Sequence, residues 1–332
     1  MGQYPGLTFR SPRIAILIPC YNEGQTIFTV VSEFAAQFPN AAIYVYDNNS
    51  NDDTKARAAA AGATVRSEAL QGKGNVIRRM FADIEADVYV LVDGDGTYDA
   101  PSAKRMIECL LKNSLDMVNA ARVPATQAAF RRGHLLGNRL LTGLVAKVFG
   151  TQIRDMLSGY RVFSRRFVKS FPALASGFET ETELTVHALE LRMPVAEVQT
   201  PYRPRVSGST SKLRTFRDGF RILHIILLLV KEERPLQFFS AIAAGLALIG
   251  LVLGWPVVTY YLQTGLVPRL PTALLATGLI LLAFISFVAG LILDSVTLGR
   301  REIKRLHYLG LDSPDFASPT DSPSRSSEDH YG

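Results

Sequence analysis

Up to residue 122 the chain alternates between short apolar runs and longer segments with apolar residues at helical spacing. The strand-like runs are "RIAILIPCYN" (13–22), "AAIYVYD" (41–47), "ATVRSE" (63–68), "DVYVLVDGDG" (87–96) and "DMVNAAR" (116–122). Helical patterns separate the earlier runs, among them "EGQTIFTVVSEFAAQF" (23–38) and "GKGNVIRRMFADIEA" (72–86). This alternation predicts an α/β fold with a mostly parallel sheet covered by helices on both faces. Ligands of such sheets bind at the carboxyl ends of the strands.

Two long uncharged stretches follow, at residues 238–262 and 271–293. Each is long enough for the roughly 20 apolar residues that cross the hydrocarbon of a bilayer. A pair of buried core helices is the alternative, but helices of globular proteins usually have a polar face. We therefore expect a hairpin of two transmembrane helices, with Trp255, Tyr260 and Tyr261 towards the end of the first span, near the membrane interface.

The mean hydropathy of +0.14 over 332 residues conceals this difference between the two ends of the chain. We expect an α/β domain over residues 1–213, amphipathic juxtamembrane helices over 214–235 and the two spans within 236–299. A basic and then disordered tail should occupy residues 300–332. Basic residues flank the spans, namely Lys231 and Arg234 before the first and Arg300, Arg301, Lys304 and Arg305 after the second. This distribution predicts a multi-pass protein of the cell membrane with its α/β domain and both termini in the cytoplasm. No signal peptide is expected.

Common nucleotide-binding signatures are missing from the sequence. Gly72-Lys73 is followed by Gly74 instead of Ser or Thr, and no G-x-G-x-x-G follows the first strand. Kinase and dinucleotide-binding functions are therefore not favoured, and nucleic acid is not an expected partner. The two cysteines, Cys20 and Cys109, have no metal-ligand spacing and should remain reduced thiols.

Asp93 and Asp95 follow the apolar run "VYVLV" and are separated by Gly94. At the end of an extended strand two such carboxylates share a face, and together they suit a hard cation such as Mg²⁺ or Mn²⁺. A D-x-D pair by itself is more often a solvated turn. Its position after a buried strand favours the metal site.

These motifs occur in an order that resembles the family 2 glycosyltransferases of GT-A fold. The segments that carry the resemblance are "IPCYNE" (18–23), "DNNSNDDT" (47–54), "GKGN" (72–75), "DGDGTYDAP" (93–101) and "DMLSGYRVFSRR" (155–166). Within the family the chain looks most like the polyprenyl-phosphate or dolichyl-phosphate hexosyltransferases, some of which carry two membrane helices. The motifs cover about residues 12 to 213.

The resemblance implies a set of residues that bind a nucleotide sugar. Asp47 would bind the base, Asp93 the ribose and the metal ion, and Asp95 the metal ion. The full set is Pro19, Tyr21, Glu23, Asp47, Asn48, Lys73, Asp93, Gly94, Asp95 and Arg122. The sequence departs from the family pattern at Asn48, where Asp is commoner, and at Thr97, where Gln often binds the metal. For Glu23 a helix-terminal acid is the alternative, and for Lys73 a solvated lysine.

The resemblance also implies an acceptor site. Basic residues outnumber acidic ones between 192 and 234. The expected acceptor-phosphate residues are Arg161, Arg203, Arg205, Ser211 and Lys212, although attraction to anionic lipid headgroups is an alternative role for this segment. The expected catalytic residues are Asp95, Asp155 and Arg161, with Asp155 as a positioning acid and its role as a base left open. One of Glu179, Glu181 and Glu183 could contact sugar hydroxyls or, equally, cap a helix.

The expected reaction is an inverting, metal-dependent transfer of a hexose from a UDP- or GDP-linked donor to an undecaprenyl or dolichyl phosphate. Another lipid or glycan acceptor and a non-catalytic membrane scaffold are the alternatives. A processive polysaccharide synthase is not favoured, because the Q-x-x-R-W signature is absent. The sequence leaves the sugar and homo-oligomerisation open.

Overall fold

A computed structural model of the protein describes residues 11–124, 143, 153, 155–173, 177, 179–204, 231–232 and 234–311. The strands in these ranges are β1 (Ile14–Cys20), β2 (Ala42–Asp47), β3 (Thr64–Ser67), β4 (Val88–Leu91), β5 (Met117–Pro124), β6 (Arg161–Ser164) and β7 (Val195–Tyr202). The helices are α1 (Ile27–Gln37), α2 (Thr54–Ala60), α3 (Lys73–Asp83), α4 (Ala100–Lys112), α5 (Arg165–Ser170), α6 (Thr180–Glu190), α7 (Pro235–Thr264) and α8 (Leu270–Leu309).

The strands form one sheet in the order β3-β2-β1-β4-β6-β5-β7. β1 pairs in parallel with β2 and β4, β2 with β3, and β5 with β7, whereas β6 is antiparallel to both of its neighbours. Because β6 runs in the opposite direction, its first residue, Arg161, lies opposite the last residue of β4, Leu91. The segment that precedes β6 therefore reaches the same sheet edge as the ends of β1, β2 and β4.

Helices cover both faces of this sheet. Every residue of β4 is buried, as expected for a strand covered on both sides. On one face Val31 of α1 and Met106 of α4 belong to the same apolar cluster as Val90 of β4. On the other face Phe81 of α3 packs edge-on against Tyr89, with ring centroids 6.3 Å apart. The predicted α/β sheet with helices on both faces is confirmed.

The two C-terminal helices, α7 and α8, have 30 and 40 residues and are long and apolar enough to cross a membrane. A Cβ atom added to Gly250 of α7 would lie 3.1 Å from side-chain atoms of Ile280 of α8, so the helices approach closely there. Large apolar side chains such as Leu251, Leu262 and Phe284 are exposed. These are not the buried helices of a globular core.

The chain divides into two compact units, one formed by Met1–Thr215 with His307–Gly332 and the other by Phe216–Leu306. Residues 214–230 of the expected juxtamembrane segment and residues 312–332 of the expected tail lie outside the described residues. Residues 300–309, expected to begin the tail, continue α8 as a helix. Loss of hydropathy at Asp294 marks the end of the apolar stretch, not the end of the helix.

The last turn of α8 belongs to the first unit and contacts its sheet. The hydroxyl of Tyr308 donates to Asp116 Oδ2 at 2.7 Å. Asp116, directly before β5, also accepts from Ser164 Oγ at 2.7 Å and from Arg166 Nη2 at 2.9 Å. The Arg166 guanidinium lies 4.5 Å from the centroid of the Tyr308 ring. Asp116 is fully buried, and these donors compensate its charge.

Candidate active site

Hydrogen bonds join the loop after β1 to the loop after β2. Asn22 N–H donates to Ser50 Oγ at 2.8 Å, and Asn51 N–H donates to Asn22 Oδ1 at 2.8 Å. Glu23 N–H donates to Thr54 Oγ1 at 2.9 Å. The bonds hold together the two loops that continue β1 and β2, at or beside the first four predicted nucleotide-binding residues, Pro19, Tyr21, Glu23 and Asp47.

Asp47, the last residue of β2, is fully buried at the carboxyl edge. Its Oδ2 accepts from Ser50 N–H at 3.2 Å and lies 3.4 Å from Lys55 Nζ. Its Oδ1 has no hydrogen-bond partner among the described residues. Leaving a buried acceptor unsatisfied costs about 1–3 kcal/mol, so a ligand that donates an N–H here would relieve a built-in penalty.

Asn48 holds the segment that leads into Lys73. Its Nδ2 donates to the carbonyls of Glu68 and Leu70 at 3.0 and 2.8 Å, and its Oδ1 accepts from Gly72 N–H at 2.7 Å. A carboxylate cannot donate, so the Asp that is commoner in the family would not make two of these bonds. The side chain of Asn48 is occupied by these internal bonds, which favours a positioning role over direct contact with the nucleotide.

Lys73, the first residue of α3, bridges two carboxylates. Its Nζ lies 2.5 Å from Asp93 Oδ1 and 2.6 Å from Glu181 Oε1. Burial lowers the pKa of this ammonium, but the two carboxylates outweigh burial and raise the pKa of Lys73 above its usual value. Because the pKa is raised by folding, the charged ammonium contributes fully to the stability of the fold below the unfolded-state pKa of about 10.5. This contribution is lost only as the pH rises through the folded-state pKa. Lys73 is therefore charged at neutral pH.

Glu181 enters this site from α6, far along the chain. The residue is 6% exposed, and its Oε2 has no hydrogen-bond partner among the described residues. In the sequence Glu181 is only one of three alternating acidic residues. Its partner, Lys73, lies 108 positions earlier, so their contact could not be predicted locally. The structure distinguishes Glu181 from Glu179 and Glu183 by this ion pair. A buried acceptor beside Asp93 can take a hydrogen bond from a ligand hydroxyl.

Asp93 and Asp95 follow β4, and the loop before β6 lies directly against Asp93. A Cβ atom added to Gly159 would overlap the Asp93 carboxylate, so only glycine allows this approach. Asp95 is 5% exposed. No group of three or more His, Cys, Asp or Glu residues within the described ranges could by itself hold a metal ion. Two carboxylates nevertheless fit Mg²⁺ or Mn²⁺ when substrate phosphates complete the shell.

Arg122 and Asp155 form a bidentate ion pair at the same edge. Arg122 Nε and Nη2 donate to Asp155 Oδ2 and Oδ1 at 2.6 and 2.7 Å. The Arg122 guanidinium lies 5.4 Å from the Tyr202 ring centroid. Two guanidinium nitrogens that donate to the two oxygens of one carboxylate fix its orientation. The pair favours the predicted positioning role of Asp155 over a role as general base.

Arg161 is fully buried, unlike the expected ligand of an acceptor phosphate. Its guanidinium donates to the carbonyls of Met156, Ser158 and Glu181 at 2.6, 3.1 and 2.9 Å, and to Thr185 Oγ1 at 2.8 Å. Burial lowers the pKa of Arg161 to about 10, so it remains charged at neutral pH. These contacts fasten the loop before β6 to the first turns of α6 and argue against direct phosphate binding.

Of the expected acceptor residues, Arg203 is described and is half-exposed, with its Nη1 3.2 Å from Glu33 Oε1. Its backbone N–H donates to the carbonyl of Thr97 at 2.8 Å. The other three expected residues, Arg205, Ser211 and Lys212, lie outside the described residues. Arg203 thus lies at the start of the basic segment and remains tied to the loop that carries Asp95.

A mostly parallel sheet with paired carboxylates after β4 is the arrangement of a GT-A glycosyltransferase. The chain belongs to glycosyl transferase family 2, whose family model matches residues 15–171. Glycosyltransferase AglJ of Haloferax volcanii is 33% identical over 240 residues, which cover 72% of this chain and 78% of AglJ. The predicted family membership and glycosyltransferase activity are confirmed.

Other proteins are similar to parts of this chain in sequence or fold. An uncharacterised Shigella flexneri protein is 57% identical over 154 residues, 46% of this chain and 94% of that protein. The dolichol-phosphate mannosyltransferase of Pyrococcus furiosus is 25% identical over 232 residues, 67% of this chain and 64% of the enzyme. Glucosyl-3-phosphoglycerate synthase from Mycobacterium tuberculosis, solved with Mn²⁺, UDP and glucosyl-3-phosphoglycerate, superposes with a TM-score of 0.55 at 22% identity. That alignment covers 70% of this chain and 86% of the synthase and supports the fold.

Proposed function

We propose that this glycosyltransferase moves a hexose from a UDP- or GDP-linked donor to a polyprenyl phosphate, with inversion and with Mg²⁺ or Mn²⁺. The observation that carries the donor half is the site at the carboxyl edge. There the acceptor atoms Asp47 Oδ1 and Glu181 Oε2 are buried without partners among the described residues, and Lys73 joins Glu181 to Asp93.

In this proposal each donor-side residue has a defined task. Asp47 Oδ1 accepts an N–H of the base, and Lys73 keeps Asp93 and Glu181 in place as a fixed positive charge. Glu181 Oε2 accepts a hydrogen bond from a hydroxyl of the transferred sugar. Asp93 and Asp95 would hold the cation, which supplies Lewis-acid stabilisation of the departing nucleoside diphosphate.

The acceptor half needs little proton chemistry. A phosphate monoester is already an anion at neutral pH, so it can attack the anomeric carbon without a general base. The bond from anomeric carbon to diphosphate oxygen breaks as the bond to the acceptor oxygen forms, and the leaving diphosphate takes the electron pair. Asp155, held by Arg122, orients this side of the site, and Arg203, Arg205, Ser211 and Lys212 would attract the acceptor phosphate.

A lipid acceptor is supported by the second unit and by a relative. α7 and α8 are long enough to cross a bilayer and expose their apolar side chains. The Pyrococcus furiosus relative is named for dolichol phosphate. A cytoplasmic catalytic domain and cytoplasmic chain ends at the cell membrane are supported by the basic residues that flank the two helices, Lys231, Arg234, Arg300, Arg301, Lys304 and Arg305.

Membranes that carry the full chain test the proposal when incubated with a panel of labelled nucleotide sugars and a polyprenyl phosphate. We expect one label to enter the organic phase, to be lost on chelation and to return with Mg²⁺ or Mn²⁺. Asp95→Ala should abolish transfer, whereas Asp53→Asn, which changes an exposed side chain that pairs with Arg57, should not.

Each failure would remove a different part of the proposal. Transfer that survives complete metal removal would exclude the cation. Label that enters only a glycan or a water-soluble product would exclude the polyprenyl acceptor. Failure to transfer or hydrolyse any nucleotide sugar would favour a non-catalytic scaffold that retains the fold.

A further inference from the structure

Thr97 contacts the carboxylate of Asp95 through two donors. Thr97 Oγ1 donates to Asp95 Oδ1 at 2.6 Å, and Thr97 N–H donates to the same oxygen at 3.1 Å. Thr97 is fully buried, and Asp95 is nearly so. Two donors on one oxygen fix both the position and the plane of the carboxylate.

Local backbone geometry makes this contact possible. Gly96 has φ of +73°, a left-handed conformation that turns the chain so that Thr97 N–H points back to Asp95. The branched side chain of threonine has few allowed χ1 angles, which keeps its hydroxyl in place. The hydroxyl therefore acts as a rigid donor.

The backbone of Thr97 is also attached to the acceptor side of the site. Its carbonyl accepts from Arg203 N–H at 2.8 Å. The next residue, Tyr98, forms an isolated antiparallel bridge with Tyr202, and their ring centroids are 5.4 Å apart. Thr97 thus joins the Asp95 loop to the end of β7, where the basic segment begins.

We propose that Thr97 is a positioning residue that fixes the Asp95 carboxylate for the divalent cation and links it to the acceptor side of the site. The inference rests on the proposed metal-dependent function. It gives Thr97 a different task from the Gln that often binds the metal at this position in the family. The Thr97 hydroxyl donates a hydrogen bond to Asp95 and so sets the geometry of this proposed metal ligand.

Mn²⁺ binding to the full chain in detergent micelles tests this role. Free Mn²⁺ is followed by electron paramagnetic resonance in the presence of UDP or, separately, GDP. Thr97→Val keeps the shape of the side chain but lacks the hydroxyl, and we expect it to weaken Mn²⁺ binding about tenfold, as for loss of one hydrogen bond to a charged group. Thr97→Ser keeps the hydroxyl and should stay within about twofold of wild type.

Ser164→Ala is a matched control, because it removes another buried hydroxyl that donates to a carboxylate, that of Asp116, at the opposite sheet edge. It should lower thermal stability and leave Mn²⁺ affinity unchanged. In transfer assays saturating Mn²⁺ should restore most of the kcat of Thr97→Val, while its apparent requirement for Mn²⁺ stays raised.

Wild-type affinity in Thr97→Val, or a tenfold loss in Thr97→Ser, would overturn the inference. If Thr97→Val does not fold, the Mn²⁺ affinity of Thr97→Ser compared with wild type still tests the inference. If wild-type protein binds no Mn²⁺ with either nucleotide, the metal-dependent function fails first. Normal binding by wild type and by Thr97→Val would remove only the role of Thr97.

Discussion

At the scale of single residues, Asp47 combines complete burial with an unsatisfied oxygen. Its Oδ2 is engaged by Ser50 and Lys55, but its Oδ1 has no partner among the described residues. A fold selected only for stability would gain from a neutral side chain at this position. The unsatisfied oxygen supports the proposed hydrogen bond from the base of the donor.

We predict that Asp47→Asn separates stability from donor binding. The apparent KM for the nucleotide sugar should rise at least tenfold, because a charge-assisted hydrogen bond contributes about 1.5–3 kcal/mol. The melting temperature should not fall, because the change removes a buried charge. Steady-state transfer assays and thermal unfolding measure the two effects.

Asp53→Asn is the control for this change. Asp53 lies in the same loop, is exposed and pairs with Arg57, so its substitution should leave the KM for the donor unchanged. An unchanged KM in Asp47→Asn would contradict the assigned contact with the base.

Sequence could predict the site residues that follow apolar runs directly, but not those that depend on distant contacts. Asp93 and Asp95 are predictable because they follow a buried apolar run, and Asp47 is predictable because its motif resembles that of the family. Nothing local distinguishes Glu181 from Glu179 and Glu183, since its ion pair with Lys73 exists only after folding. The burial of Arg161 was missed for the same reason, because its partners are carbonyls from two separate segments.

At the scale of elements, the ends of β1 and β4 pack so closely that a side chain at Gly94 has no room. A Cβ atom there would lie 2.7 Å from Cys20 Sγ and 3.4 Å from Ile18 Cγ2. Cys20 is buried at the end of β1. The thiol thus fills space under the loop that carries Asp93 and Asp95.

We predict that Gly94→Ala destabilises the fold by about 1–3 kcal/mol through overpacking. Cys20→Ala removes the nearest atom, so the double variant should recover at least about 1 kcal/mol relative to additive effects. Urea unfolding of the wild type, both single variants and the double variant completes the cycle. Additive losses would show that Cys20 is not the atom that limits the space.

The sequence predicts β1 and β4, but it predicts neither β6 nor the end of α8. "IAILIPC" and "VYVL" are continuous apolar runs, as buried parallel strands require. The run "RVFS" of β6 is equally buried and compatible with either direction, so its antiparallel pairing depends on where the chain re-enters the sheet. α8 continues to Leu309 through charged residues, because no helix-breaking residue interrupts "REIKRLHYL".

At the scale of the whole molecule, the last described residues of the chain are attached to the sheet of the first unit by Tyr308. Its hydroxyl donates to the buried carboxylate of Asp116, and Arg166 lies over its ring. Burial and the contact with Asp116 raise the pKa of Tyr308. The protonated hydroxyl therefore contributes fully to the stability of the fold below the unfolded-state pKa of about 10. This contribution is lost only as the pH rises through the folded-state pKa.

We predict that Tyr308→Phe lowers the free energy of unfolding of the catalytic unit by about 1.5–3 kcal/mol, the range for hydrogen bonds to charged groups. The difference from wild type should be constant between about pH 6 and pH 9, because Tyr308 does not ionise in that interval. Denaturant unfolding of the full chain in detergent at several pH values measures it.

Tyr44→Phe is the matched control, because the hydroxyl of Tyr44 on β2 makes no hydrogen bond within the described part of the chain. It should change stability by less than about 0.5 kcal/mol. Equal effects of the two substitutions would show that the bond to Asp116 contributes nothing specific.

The bonds between the loops after β1 and β2 also limit how this enzyme can be recombined with its relatives. Asn22 is both donor and acceptor towards the second loop, through Ser50 and Asn51. A chimera that takes one loop from another glycosyltransferase would lose partners on both sides of the junction. The two segments therefore form a single exchangeable module, and we expect a segment swap aimed at the proposed donor site to keep these bonds only if residues 20–24 and 47–54 are transferred together.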